Sequence, residues 1–197
     1  MMIDIGPRPA DITLSWKNLY AYNRKIIDPI ANRYFFVDRP KVLAIKNIEE
    51  TVTISLRLHP DDPKRGSRLL TVKSSDGEAR LLISSEDFRR LKPGSLIRLI
   101  ELFNVKILSK SDDEAIAELH SKGYEEAKRL NLPLIHWLPE DETIPCEVIM
   151  PDGSVIRGLA EKNLLKASVD QIVQFERFGF VRIDQIGEDL RAFFAHE

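Results

Sequence analysis

The sequence predicts a mainly β protein of the barrel or sandwich type, preceded by a short helical segment. From Tyr34 onward the chain is a series of short runs rich in β-branched and aromatic residues, and several runs alternate apolar and polar residues with period two. Gly, Pro and Asp separate the runs at short intervals, as expected for tight turns. Strand and helix do not alternate regularly, so a parallel α/β sheet is not indicated.

The composition is that of a globular protein with its own hydrophobic core. The chain has 197 residues, a net charge of -2 and 43% hydrophobic residues. A chain of this length buries roughly 70% of the surface that it exposes when unfolded, so it needs no disulfide or metal for stability. The longest apolar runs are far shorter than the roughly 20 residues that cross a bilayer, so membrane insertion is not expected. Cys146 is the single cysteine, which excludes an intrachain disulfide and fits a cytoplasmic location.

One helix is predicted before the strands begin. Apolar residues recur at spacings of three and four from Trp16 to Ile27, and Ser15 is a suitable N-cap. Asp28 and Pro29 then end the helix, because the residue before a proline disfavours the helical conformation. The strands predicted next lie at residues 34–37, 41–45, 51–58, 69–73, 79–83, 95–101 and 105–108.

Turn and capping signals organise the middle of the chain. A Ser-Asp-Gly turn at residues 75–77 predicts a hairpin over residues 69–83. Ser84 and Asp87 form a capping pair, and a later Pro-Gly pair acts as a stop, so a short helix is predicted over residues 84–91.

The second half begins with an ambiguous stretch. Residues 115–120 fit either an alternating strand or the start of a helix, whereas residues 124–130 predict a helix. Gly123 between them favours a strand, a break and then the helix. A Pro-Asp-Gly turn at residues 151–153 predicts a hairpin over residues 147–157. The strands predicted in the tail lie at residues 134–138, 145–150, 154–157, 172–176 and 180–183.

The motifs of a self-contained enzyme are absent from the sequence. It has no glycine-rich phosphate-binding loop and no nucleophile elbow. Its four histidines are spread without metal-ligand spacing, and one cysteine cannot complete a zinc site. We therefore expect no catalytic residue, cofactor or metal in this chain, and no catalysis by this chain alone.

Charge is segregated along a chain that is nearly neutral overall. Basic residues occur without acids between Asp62 and Asp76 and again between Asp87 and Glu101. Such patches are one feature of nucleic-acid surfaces. Runs of charge are more often solvated faces, and this second interpretation stays open.

Three stretches carry a family resemblance, and a fourth, at the end of the chain, adds to it. They are SWKNLYAYNRKIIDPIANRYFFV at residues 15–37, LIHWLP at 134–139, VQFERFGFVRID at 173–184 and the ending FFAH at 193–196. In this order and spacing they resemble the C-terminal half of archaeal and eukaryotic-type glutamyl-tRNA synthetases, whose architecture glutaminyl-tRNA synthetase shares. The likeness extends through nearly all of the chain, and the long first motif is highly specific.

The resemblance implies two six-stranded β-barrels, called proximal and distal. Residues 1–32 are then a remnant of a helical subdomain, residues 33–45 with 132–197 the proximal barrel, and residues 46–131 the distal barrel. The HIGH-type and KMSKS-type motifs that handle ATP are absent, since in the family they lie upstream of the point where this sequence starts. The chain thus resembles an anticodon-binding module, with ATP bound by a Rossmann catalytic domain in cis.

The implied function is recognition of the anticodon loop of tRNA(Glu), with tRNA(Gln) as a further candidate, for ATP-dependent glutamylation by the catalytic domain. Neither DNA nor a membrane is an expected partner. Aligned with the glutaminyl enzyme, Arg33, Gln174 and Arg177 fall on the pocket of the middle anticodon base, which is U in both tRNAs. Unstacked bases offer their Watson–Crick edges, and guanidinium and carboxamide groups suit those edges.

Further polar residues follow from the same resemblance. Arg89, Arg90 and Arg98 resemble residues that meet the outer anticodon bases, and surface ion pairs are the alternative role. The candidates for contact with the tRNA backbone are Asn23, Arg24, Lys25, Lys64, Arg65 and Arg68. The competing hypothesis for the whole chain is a free-standing β-barrel module that binds RNA or docks on a protein.

Overall fold

Two seven-stranded sheets, each close to a barrel, contain most of the strands of the computed structural model, which describes residues 15–197. The predictions for residues 1–14 lie outside the described residues. The helices are α1 (Trp16–Ile27), α2 (Ser85–Arg90) and α3 (Tyr124–Arg129), and 3-10 turns span Pro63–Arg65 and Lys162–Lys166. The strands are β1 (Asn32–Tyr34), β2 (Phe36–Asp38), β3 (Lys41–Lys46), β4 (Val52–Arg57), β5 (Ser67–Val72), β6 (Glu78–Ile83), β7 (Leu96–Leu99), β8 (Asn104–Lys110), β9 (Glu114–Ser121), β10 (Leu134–Ile135), β11 (Leu138–Pro139), β12 (Thr143–Ile149), β13 (Val155–Glu161), β14 (Ile172–Phe175), β15 (Gly179–Ile186) and β16 (Leu190–His196).

The strand order separates a proximal sheet from a distal sheet. The proximal sheet has the order β1-β14-β15-β16-β12-β13-β2, and the distal sheet has the order β10-β7-β8-β9-β3-β6-β11. Strands β4 and β5 form a separate two-stranded sheet among the described residues. Each large sheet therefore has seven strands, one more than the family resemblance implies.

The chain enters the distal sheet at β3, which lies within the range 33–45 that the family resemblance implies for the proximal barrel. Strand β3 pairs in parallel with β9 and antiparallel with β6, so residues 41–46 belong to the distal sheet. The short strands β10 and β11 also pair in the distal sheet. The physical reason is burial on both sides of β3, where Leu43, Ala44 and Ile45 are at most 3% exposed.

Local signals predicted most elements correctly. Ser15 caps α1, and its hydroxyl accepts a hydrogen bond from the Asn18 N–H at 3.2 Å. Ser84 caps α2 in the same way through the Asp87 N–H at 3.2 Å. The ambiguous stretch is strand β9, and the hairpin over residues 147–157 is confirmed by the pairing of β12 with β13.

The predicted hairpin over residues 69–83 is wrong as a strand pair. The turn is present and is closed by an isolated bridge between Ser75 and Glu78. Beyond that turn the strands diverge, because β5 pairs with β4 while β6 joins β3 in the distal sheet. The turn residues fix a reversal of the chain but do not select the partner of each strand.

Strand β16 was not predicted, and it lies in the middle of the proximal sheet between β15 and β12.

Each sheet has its own core. Phe35 and Trp137 belong to the larger cluster of the distal sheet, and Phe36 and Phe175 belong to the cluster of the proximal sheet. None of the helices formed by residues 15–197 is long and apolar enough to span a membrane.

Candidate nucleic-acid interface

A cleft of about 510 Å³ lies where the two sheets meet. It is lined by Arg33, Phe35, Ser55, Leu56, Arg57, Pro60, Arg68, Ile100, Glu101 and Glu176. These residues come from strand β1 and the position that follows it, from β4, β5 and the loop between them, and from the positions just after β7 and β14. The volume falls in the range of about 300–1,000 Å³ that is usual for small-ligand sites.

Arg33 and Gln174 are brought together by the proximal sheet. Strands β1 and β14 are parallel, and Arg33 is the register partner of Gln174. Neighbouring strands lie about 4.8 Å apart, and register partners point to the same face of a sheet. The two residues are 141 positions apart in sequence (174 minus 33), so only the sheet makes them neighbours.

Polar atoms without partners concentrate at this pair. Among residues 15–197, four buried side-chain atoms have no hydrogen-bond partner, and two of them are Nε of Arg33 and Oε1 of Gln174. A third is Oδ1 of Asp28, which lies 3.6 Å from Nη2 of Arg33. Buried polar atoms are nearly always paired in folded proteins, so an unpaired donor and an unpaired acceptor on register partners suggest a site whose side chains rearrange to meet a ligand.

Arg68 is a buried link between the β4–β5 pair and the proximal sheet. Its side chain is 2% exposed, and its Nε donates to Oε1 of Glu161 at 2.8 Å. Its Nη1 donates to the carbonyl oxygen of Arg57 at 2.6 Å, and its Nη2 donates to Glu176 at 3.1 Å. Three of its five N–H donors are used inside the protein, and at 2% exposure little of the side chain is left to make the predicted contact with the tRNA backbone.

Arg177 points away from the cleft, toward the distal sheet. Its guanidinium group forms two hydrogen bonds with the carboxylate of Asp87, Nη1 to Oδ2 at 2.6 Å and Nη2 to Oδ1 at 2.8 Å. Its Nη1 also donates to Nδ1 of His136 at 3.1 Å. The structure therefore brings together two of the three residues predicted for the middle base, Arg33 and Gln174, and joins the third to a helix of the other sheet.

The three arginines predicted for the outer bases occupy different environments. Arg89 and Arg90 are exposed in the last turn of α2, and Arg90 forms an ion pair with Glu86. Arg98 is only 5% exposed and donates to Asn104 at 3.3 Å and to the carbonyl oxygen of Lys122 at 2.9 Å. Burial lowers the pKa of Arg98 from its ordinary value. Arg98 would have to leave these acceptors to reach a base.

Of the remaining candidates for contact with the tRNA backbone, some bind other parts of the protein and others are exposed. Arg65 holds the loop after α1, because its Nη1 donates to the carbonyl oxygen of Ile30 at 2.6 Å. Asn23 donates to Nε2 of His196 at 3.0 Å. Lys25 and Lys64 are exposed, and the exposed Arg24 lies over the ring of Phe180 at 5.9 Å from its centre. Of this group, Arg65 has a clear structural role.

Sequence reasoning missed four polar residues of this region: Arg57, Glu101, Glu176 and Asp87. Asp87 was singled out only as a helix-capping residue, and Glu176 lies inside the motif that contains Gln174 and Arg177, so position within a motif was the available signal for both. Arg57 and Glu101 gave no local signal, because the sheet packing alone brings them to the cleft.

Comparison with known protein families matches most of the chain to one kind of domain. The anticodon-binding domain of class I tRNA synthetases (E and Q) matches residues 31–123, and a second domain of the same description matches residues 134–184. The first range includes Arg33, and the second includes Gln174. The two ranges cover both sides of the cleft.

Curated relatives match the chain from end to end. The glutamate–tRNA ligase of Pyrococcus horikoshii is 45% identical over 201 residues, which cover 100% of this chain and 34% of the relative. That of Methanocaldococcus jannaschii is 43% identical over 189 residues, which cover 96% of this chain and 32% of the relative. That of Methanopyrus kandleri is 41% identical over 197 residues. The chain spans about a third of the length of these relatives.

Proposed function

Because the chain belongs to the anticodon-binding domains of class I tRNA synthetases (E and Q), we propose that it binds tRNA(Glu) and reads the middle base of the anticodon with Arg33 and Gln174. The observation that carries the proposal is that register partners Arg33 and Gln174 each have a buried, unpaired polar atom, Nε and Oε1, which would gain a partner if the two side chains turned toward a bound base. Arg33 lines the cleft, and Gln174 lies next to it in the sheet.

The chemistry of the pair suits uracil. The Watson–Crick edge of uracil has one donor, N3–H, between two carbonyl acceptors. Oε1 of Gln174 can accept from N3–H, while Nε of Arg33 can donate to a neighbouring carbonyl. Cytosine has no proton on N3, so it would leave the acceptor of Gln174 unpaired unless the carboxamide turned over. A buried polar group that loses its partner is costly, and this cost supplies the discrimination.

The activity of the parent protein belongs to the same proposal. The match of all or nearly all of this chain to about a third of glutamate–tRNA ligases supports a module that positions tRNA(Glu), or both tRNA(Glu) and tRNA(Gln), while a catalytic domain in cis performs the ATP-dependent aminoacylation. This match favours the synthetase over the free-standing RNA-binding or protein-docking module. A cytoplasmic location is part of the proposal.

The test uses the 197-residue chain and two tRNA(Glu) transcripts that differ only in the middle anticodon base, U or C. Fluorescence anisotropy gives the affinity of each. We expect Arg33→Ala and Gln174→Ala each to weaken binding of the U transcript by about 1–3 kcal/mol, the range for one good base contact, and to reduce the preference for U.

The matched control is Arg157→Ala, which removes an exposed arginine from the proximal strand β13. It changes the net charge as Arg33→Ala does, so it measures the general electrostatic loss. Equal affinity of the unmodified chain for both transcripts would refute the proposal, as would equal losses for Arg33→Ala and Arg157→Ala. Repeating the titration at two salt concentrations separates phosphate contacts, which steepen the salt dependence, from base contacts, which do not.

A further inference from the structure

Arg177 lies on the turn between β14 and β15 and is tied to helix α2 of the distal sheet. We propose that Asp87 is a positioning residue, which together with His136 fixes the Arg177 guanidinium so that its Nε/Nη2 edge is presented to a hydrogen-bond acceptor of the bound anticodon loop. The proposal deepens the proposed function and rests on it, since it names the residue that makes Arg177 ready to bind RNA.

The donor geometry of Arg177 leaves one edge open. A guanidinium group has five N–H donors in a fixed plane. Asp87 takes one from Nη1 and one from Nη2, and His136 takes the second from Nη1. The two remaining donors, Nε–H and the second N–H of Nη2, lie side by side on the same edge. Among residues 15–197 these two donors form no hydrogen bond, and the side chain as a whole is 34% exposed.

His136 is held in the one form that can support Arg177. Its Nε2 lies 2.7 Å from the carbonyl oxygen of Phe36, which can only accept, so Nε2 carries the proton. Its Nδ1 faces Arg177, which can only donate, so Nδ1 is bare. Both contacts therefore require the neutral imidazole with its proton on Nε2. Burial and the charge of Arg177 lower the pKa of His136, in agreement with this neutral form.

Asp87 is itself fixed within the distal sheet's helix. It is 5% exposed, and its backbone N–H is held by the cap residue Ser84. Burial alone would raise the pKa of Asp87, but the hydrogen bonds and charge of Arg177 outweigh burial and lower it, so the carboxylate stays ionised. A bidentate pair of this kind fixes direction as well as distance.

The Asp87–Arg177 pair also connects two parts of the chain that are predicted to contact anticodon bases. Helix α2 contains Asp87 and, in its last turn, the exposed Arg89 and Arg90, for which the family resemblance implies contact with the outer bases. Through Asp87 this six-residue helix holds Arg177, which extends from the proximal sheet. A displacement of α2 would therefore move the open edge of Arg177 relative to Arg33 and Gln174.

The test compares Asp87→Asn, Arg177→Ala and the double variant Asp87→Asn/Arg177→Ala with the unmodified chain, using the same U and C transcripts. Asparagine keeps the size of Asp87 but replaces one acceptor with a donor, so it cannot form the bidentate pair. We expect each single variant to lose about 5- to 150-fold in affinity for the U transcript and most of the U over C preference. The double variant should lose no more than Arg177→Ala alone.

Asp113→Asn is the matched control, because it makes the same change at an exposed aspartate of the distal sheet that pairs with Lys41 and does not contact Arg177. It should keep the U over C preference, and the unfolding midpoint of each variant, followed by circular dichroism, shows that binding is measured on folded protein. If Asp87→Asn keeps the preference that Arg177→Ala loses, Asp87 does not position Arg177 and the inference is overturned. It is also overturned if neither variant loses the preference. In both cases a loss with Arg33→Ala leaves the proposed function standing, whereas no preference in the unmodified chain overturns both.

Discussion

Replacing Arg68 with alanine should destabilise the fold far more than removing an exposed arginine. Arg68 and Glu161 form an ion pair at 2.8 Å with side chains 2% and 0% exposed. In Arg68→Ala the carboxylate of Glu161 stays buried with the Phe35 N–H and the Asn163 amide as its donors, but without its cation. Removing one partner of a buried ion pair costs about 3–5 kcal/mol. For a chain of this size that corresponds to a fall in Tm of roughly 6–20 °C.

The structure offers a control with the same contact distance. Nε of Arg157 lies 2.8 Å from Oε1 of Glu147, as Nε of Arg68 does from Glu161, but the side chains of Arg157 and Glu147 are 75% and 34% exposed. Such pairs contribute about 0–1 kcal/mol, because water screens them. Urea unfolding followed by circular dichroism should therefore separate Arg68→Ala from Arg157→Ala by at least about 2 kcal/mol, the difference between those two ranges. Equal losses for the two variants would refute the argument that burial makes Arg68 a structural link.

Three further predictions concern the thiol, the sheet packing and the pH dependence of the chain. Burial raises the pKa of Cys146 to about 12, so iodoacetamide at about pH 8 should modify it, by mass spectrometry, only after unfolding. A methyl group at Gly158 would lie 2.3 Å from the carbonyl oxygen of Val37, so Gly158→Ala should cost about 1–3 kcal/mol in urea unfolding, whereas Gly123→Ala, with open space around it, should stay within about 0.5 kcal/mol. Burial lowers the pKa of His136, so as the pH falls the histidine binds a proton in the unfolded chain before it does so in the folded chain. The free energy of unfolding should therefore fall as the pH drops through about 6.5, by at most about 1.4 kcal/mol per pH unit. His136→Gln should flatten this slope, and an unchanged slope would contradict the lowered pKa of His136.

Local sequence signals specified individual elements well and strand partners poorly. Capping residues and apolar spacing predicted α1 and α2 because those signals act within one turn of helix. The Ser-Asp-Gly turn at residues 75–77 predicted a reversal of the chain but not that β5 and β6 enter different sheets. Strand β16 escaped prediction because two adjacent phenylalanines, Phe193 and Phe194, break the alternation of period two.

The candidate site shows the same division. The resemblance to a family singled out Arg33 and Gln174, and the register of β1 with β14 makes them neighbours. It also singled out Arg68 and Arg98, which the structure buries at 3% and 5% exposure. The local sequence does not distinguish Arg68 and Arg98 from the exposed Arg89, because the neighbours of all three are ordinary strand or helix residues.

The sequence by itself determined that the chain is rich in short strands, where its caps and turns lie, and to which kind of domain it is similar. The tertiary structure alone decided which strands pair and which arginines face water. It also decided that Asp87, on helix α2, binds Arg177, which follows strand β14 of the proximal sheet. The physical reason is range: capping, turn formation and periodicity depend on residues a few positions apart, whereas burial and ion pairing depend on groups that meet only when both sheets are formed.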